Sequence, residues 1–138
     1  MGRSILGVVA GLVIGIVIVG LVETLGMRLF PLPADVDPTD PSALAAAIPS
    51  LPIGAFLFVL GAWFLGAWTG ATTAMRIARG TARWPGITVG ALIVAAALYN
   101  LWVIPHPTWF TAVAVVGLAL ITWVASRPVG AIRGAAEG

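Results

Sequence analysis

The chain has 138 residues, of which 60% are hydrophobic and only 9% charged, with a formal net charge of +2, far from the roughly 25% charged residues of a soluble domain. Its pI near 10.5 would suit a nucleic-acid partner, but the basic residues are seven scattered arginines and no lysine, and they flank apolar runs instead of forming one patch, which excludes that class. Cysteine is absent, which removes disulfides, thiol catalysis and thiolate metal sites together.

The first apolar run covers 5–27. Arg3 would serve as the charged region of a secretory signal, but the run exceeds the usual apolar core of about 7–15 residues and no A-x-A-like cleavage site follows. It reads as an uncleaved anchor. Leu6 in place of Ser or Thr also excludes a myristoylation motif. Gly7, Gly11 and Gly15 recur every fourth residue, the spacing that lets helix backbones approach closely in lipid. Near the far end of this run stands Glu23, an ionisable group that is costly at membrane depth and usually has a reason to be there.

The link that follows, 30–52, holds six prolines and three aspartates. Asp40-Pro41-Ser42-Ala43-Leu44-Ala45 has an N-cap residue, a proline at the first helical position and then good helix formers. It predicts a short surface helix ending before Pro49. Asp35, Asp37 and Asp40 lack the glycine and terminal glutamate of an EF-hand loop and read as a solvated acidic segment.

The second run, 53–75, carries Ala62, Gly66, Gly70 and Ala74 at the same four-residue spacing. The third, 86–104, opens with Gly86 and Gly90 and ends near Tyr99 and Asn100. The turn Pro105-His106-Pro107-Thr108 leads into the fourth run, 109–125. Each run meets the roughly 17–25 apolar residues that span a bilayer, and lipid offers no partner for backbone polar groups, so each should be helical. The expected fold is therefore all-α: a bundle of four transmembrane helices in one integral membrane domain, 1–138.

Arginine placement predicts orientation. Arg3, Arg76, Arg79, Arg83, Arg127 and Arg133 fall on one side, and only Arg28 on the other beside the aspartates. The positive-inside rule puts both termini in the cytoplasm and the proline-rich link outside. Trp84 and Trp123 at the inner boundary and Trp102 and Trp109 at the outer form an aromatic belt. Trp63 and Trp68 lie within the second span and should pack between helices or against lipid. All-arginine usage with abundant Ala, Gly and Val suits a GC-rich bacterial genome, hence the bacterial inner membrane.

The stripes are expected to pack within one bundle, or else one of them faces another chain; the Gly7 stripe is then the better candidate. Four short helices enclose little volume, so a homo-oligomer or a place in a larger membrane complex is expected.

The candidate outer polar site gathers Glu23, Asn100, His106 and Tyr99. In one reading Glu23 is protonated or bonds Asn100, and His106 caps the fourth helix between two prolines, a satisfied structural cluster. In the other it is a proton or cation site opening outward. One carboxylate, one imidazole and one amide are too few for a metal site, and no nucleophile, base and acid can be named together, so neither a cofactor nor an enzyme is expected. The inner half offers mainly Thr72, Thr73, Thr88 and Thr122.

Val22-Glu23-x-x-Gly26 followed by Phe30-Pro31, together with Asn100 and Pro105-His106-Pro107-x-Trp109-Phe110, resembles a family of small uncharacterised bacterial four-helix membrane proteins over nearly the whole chain. The resemblance implies the fold and no activity. The chain is also similar to the small multidrug resistance transporters, four-helix proteins with a membrane glutamate on helix one, which Glu23 would match. Their glutamate lies deeper, their first link is short, and they lack the Pro-His-Pro turn. Two functions are thus expected in order: a non-enzymatic packing, accessory or oligomer-forming membrane subunit, then a small proton- or cation-coupled transporter or channel using Glu23.

Overall fold

The computed structural model describes residues 1–79 and 82–128, and these contain helices and no strand. The helices are α1 (Gly2–Leu29), α2 (Pro41–Ala47), α3 (Ile53–Ala78), α4 (Trp84–Val103) and α5 (Thr108–Ala125). All but α2 are long and apolar enough to cross a membrane. The protein is an integral membrane protein by this architecture. Arg133 lies outside the described residues.

Helix ends extend past the apolar runs where local chemistry permits it. α1 takes in both Arg3 and Arg28, whose long stems let the charge reach water from inside a helix. α4 begins at Trp84 because Pro85 suits the first turn. α3 runs on to Ala78 and stops at Arg79 in the left-handed conformation, φ 50°, with its N–H donating to the Met75 carbonyl. Asp40 caps α2 by accepting from the Ser42 N–H, as its sequence predicts. The prediction that helix ends before Pro49 holds for α2 only. A 3₁₀ turn, Ile48–Ser50, follows and includes Pro49, because a turn this short asks for no proline N–H and closes from the Leu51 N–H to the Ile48 carbonyl at 3.1 Å.

α3 is the centre of the bundle and packs on α1, α4 and α5. Its small-residue stripe meets the α1 stripe face to face. A Cβ added at Gly7 would lie 2.6 Å from the Ala74 carbonyl oxygen, and one added at Gly15 would lie 3.0 Å from that of Gly66. Gly11 and Gly70 are in the same relation, each facing the other's carbonyl oxygen. Backbone therefore touches backbone along the interface, with Ala62 and Ala74 fully buried beside it. The Gly7 stripe is thus occupied within the chain. The alternative that it faces a second copy is corrected, because no room remains on it for another helix. The outward face of α1 is instead Ile5, Val9, Val13 and Val17, all exposed.

These contacts also set direction. Gly7 lies by Ala74 and Gly26 by Phe58, so α1 and α3 are antiparallel. Gly86 lies by Met75 and Ser126, and Gly90 by Thr122, so α4 runs against both α3 and α5. The start of α1 and the end of α5 therefore share one end of the bundle, with Arg3, Arg76, Arg79, Arg83 and Arg127. The aspartate-bearing link lies at the other.

At the arginine end, Arg83 Nε donates to the Ser126 carbonyl at 3.3 Å and its Nη2 to the Trp123 carbonyl. Its guanidinium lies 5.4 Å, and that of Arg127 4.4 Å, from the Trp123 ring centre. Arg83 thus satisfies carbonyls that α5 leaves unpaired at its C-terminus and complements its dipole.

Glycine mutants separate the used from the unused positions. Gly11→Leu or Gly70→Leu should destabilise the bundle by about 1–3 kcal/mol or more, since backbone must move. Gly20→Leu should not, because nothing lies within 4 Å of a Cβ added there. Unfolding by denaturing detergent, followed by circular dichroism, would read the difference.

Candidate functional site

Glu23 lies about 9 Å of helical rise inside the end of α1 at Leu29. Its Oε1 accepts a hydrogen bond from Trp63 Nε1 at 3.1 Å. Trp63 is 4% exposed, and a buried indole N–H needs an acceptor. The sequence expectation that Glu23 bonds Asn100 is corrected: the partner comes from α3, not α4. Asn100 nevertheless lines the same two cavities as Glu23.

The first cavity, about 280 Å³, lies between Glu23 and the link, under Leu32, Pro38, Leu44 and Leu51 and beside Phe30 and Phe58. The second, about 350 Å³, runs from Glu23, Trp63 and Asn100 toward the bundle middle, between Ile16, Val19 and Gly20 on α1 and Ile93, Ala96 and Ala97 on α4. Glu23 and Asn100 stand at their junction. The walls are otherwise apolar.

His106 belongs elsewhere. Its Nδ1 lies 2.7 Å from the Ile104 carbonyl oxygen, so Nδ1 carries a proton and donates, leaving Nε2 of the neutral ring as an acceptor. It serves the end of α4, whereas Pro107 occupies the N-cap of α5 with no side-chain bond. The expected His106 cap on the fourth helix is therefore corrected: a histidine ring held by the preceding carbonyl cannot reach back over α5. The ring stacks on Phe110 at 4.7 Å and 15°, and Phe110 meets Trp63 edge-on at 5.7 Å. It faces a third cavity, about 420 Å³, with Ala45, Ile48, Pro49 and Phe56. The fully buried Phe110 thus stands between His106 and Trp63, with Glu23 beyond it. Tyr99 also stands apart: it is 65% exposed and leans on Trp102 at 6.3 Å. Of the four candidate residues the fold brings only Glu23 and Asn100 together.

Trp63 is the residue that sequence reasoning did not place in the site. Its signal was its departure from the aromatic belt: an indole deep in a span must either spend its N–H on a partner or leave it unpaired. Trp68, its neighbour in that departure, is 41% exposed and faces outward.

Several other polar groups are satisfied locally. Thr24, Thr69 and Thr72 hydroxyls donate to carbonyls four residues back, at 2.6 Å, 2.7 Å and 2.7 Å. Asp37 accepts from the Thr39 hydroxyl and N–H, and Asp40 from those of Ser42; these bonds hold both carboxyls below the usual carboxylate range. Burial holds the His106 imidazole below its ordinary value of 6.5, with the Ile104 bond opposing the shift more weakly. Thr122 Oγ1 is buried without a hydrogen-bond partner, against Gly90 at the α4–α5 crossing. Among the described residues no three His, Asp or Glu side chains gather as a metal site would require.

Comparison with protein-family models, with curated proteins and with solved structures finds no match to this chain.

Two outcomes test this geometry. Glu23→Gln keeps an acceptor for Trp63 and should be tolerated, whereas Glu23→Leu strands a buried N–H at a cost of about 1–3 kcal/mol. Pairing Glu23→Leu with Trp63→Phe should recover part of that loss in a double-mutant cycle. For His106 the folded-state value lies below the unfolded one, so the unfolded chain binds the proton more readily. Its stabilising contribution is complete above about pH 6.5 and is lost as pH falls from there through the lower folded value. Thermal unfolding in detergent between pH 7 and pH 5, on the order of the titration range of histidine, should show a slope that His106→Gln flattens.

Proposed function

We propose that this protein is a non-enzymatic membrane subunit, acting by packing with other chains or copies of itself, in the bacterial inner membrane with both termini cytoplasmic. One observation carries the reading: backbone contact fills the α1–α3 interface, and toward the arginine end the hydroxyls of Thr69, Thr72 and Ser126 are spent on carbonyls four residues back. Thr69 and Thr72 bond α3 carbonyls, Ser126 bonds that of Thr122 at 2.6 Å, and Gly7, Gly11 and Gly15 lie against α3. A transporter using Glu23 needs a polar route to the far side, and these groups do not supply one. The Glu23–Trp63 bond gives the carboxyl a structural task.

Association would use faces other than the glycine stripes. α1 offers the best of these, since its outer side is a continuous band of Ile, Val and Leu. The orientation rests on the arginines that the fold collects at one end.

Topology and transport have direct tests. Cysteines at Gly2 and Arg127 should be labelled from the same side of the membrane, and one at Ser42 from the opposite side. Protein reconstituted into vesicles with a pH-sensitive dye should carry no proton flux above empty vesicles. A flux present in the wild type and lost in Glu23→Gln would favour the transporter. Native mass spectrometry from mild detergent should show more than one copy or a companion chain, and a bare monomer would count against the subunit reading.

A further inference from the structure

We infer that the cleft between α1 and α4 binds a single-chain amphiphile whose head group donates hydrogen bonds and bears no negative charge. This goes beyond the subunit reading and does not depend on it.

The shape of the cleft is the first argument. From Glu23 to Ile16 on α1, and from Asn100 to Ile93 on α4, each wall spans seven residue steps, or about 10 Å of helical rise. All four residues line the same cavity of about 350 Å³. The polar pair closes one end and the rest is aliphatic. That volume is on the order of ten times the roughly 30 Å³ share of a water-sized group, room for a short segment of alkyl chain. Ile16 is 59% exposed, so the cleft opens sideways at the depth of lipid tails, and a chain can enter without crossing the link.

Gly20 is the second argument. Unlike Gly7, Gly11 and Gly15, it touches no neighbouring helix: an added Cβ would meet nothing within 4 Å. Helix packing therefore does not account for this glycine. It lines the cleft on the α1 side as Ala96 and Ala97 do on the α4 side, so both walls carry small residues there.

The third argument is the chemistry at the closed end. One carboxyl oxygen of Glu23 is engaged by Trp63, and the other remains as an acceptor beside the Asn100 carboxamide. No arginine lines either cavity that meets Glu23. An anionic head would face a carboxyl with no cation to offset it, whereas a hydroxyl or ammonium head would donate to it. The second cavity beyond Glu23, about 280 Å³, leaves room for a head larger than a single hydroxyl.

Three photoreactive probes would test this, each bearing a diazirine on its chain: a monoacylglycerol, an alkylamine and a fatty acid. The full-length protein would be placed in phosphatidylcholine nanodiscs and the labelled residues mapped by mass spectrometry. The first two probes should mark 16–20 and 93–97 above the level seen on the outward residues Val9 and Val115, and the fatty acid should not. Gly20→Leu, or Ala96→Leu on the facing wall, should bring that labelling down to the outward level without lowering the unfolding temperature. Glu23→Gln distinguishes the two heads. Its one amide oxygen serves Trp63 and its NH2 donates, which a hydroxyl oxygen can accept and an ammonium cannot, so monoacylglycerol labelling should persist, while loss of the charge should weaken the amine by about tenfold. Equal labelling by all three probes, or labelling unchanged in both cleft-filling variants, would overturn the inference.

Discussion

The close approach of α1 to α3 is the contact on which the rest of the molecule is built. Apolar side chains gain little by leaving lipid for each other, so association in a bilayer depends on how many atoms come within van der Waals range. Glycine and alanine at every fourth position let the two backbones touch, Gly11 against Gly70 and Gly15 against Gly66. Glycine costs about 1 kcal/mol of helix propensity relative to alanine, yet a methyl group at Gly7 or Gly11 would press into a carbonyl oxygen. That clash would cost more than the lost propensity, so glycine is the better residue at those positions.

That interface also sets what surrounds Glu23. The register that seats Gly15 by Gly66 and Gly26 by Phe58 brings the Glu23 side of α1 over Trp63. A helix rotated or shifted by one residue would turn the carboxyl to lipid and strand the indole N–H. Trp63 in turn abuts Phe110, which also meets Phe56 edge-on at 5.7 Å. Such aromatic pairs each add about 0.5–1.5 kcal/mol beyond their buried area. The carboxyl is thus tied through one hydrogen bond to the aromatic seam that joins α3 and α5. The same seam separates it from His106.

The two ends of the bundle are stabilised differently. At one end Arg83 and Arg127 lie over Trp123, and Arg83 supplies donors to the last carbonyls of α5. An arginine that reads in sequence as a topology signal is also a helix cap, because a guanidinium can reach a helix end while staying near water. At the other end, Asp37 and Asp40 accept bonds from the residues two positions on, which shapes the link without deep burial. Phe30 packs on Phe58 at 5.8 Å and draws the start of the link down onto α3.

The helices, their number and the alternation that puts the described ends together were legible in the sequence, because lipid permits few forms of spanning backbone and apolar length reports them directly. The stripes were legible as packing surfaces, since a four-residue spacing defines one helix face. Asp40 as a cap was legible for a similar reason: its partner lies two residues away. Which stripe meets which, and which side chain Glu23 bonds, were decided only by the tertiary structure. Glu23, Asn100, His106 and Tyr99 share a depth, and depth follows from counting residues along each helix. Azimuth does not: rotation of each helix about its axis sent Tyr99 outward, set His106 behind Phe110, and turned Trp63 inward to Glu23. Those rotations are fixed by contacts between residues distant in the chain, Gly7 with Ala74 or Gly90 with Thr122, and such contacts leave no local pattern from which to read them.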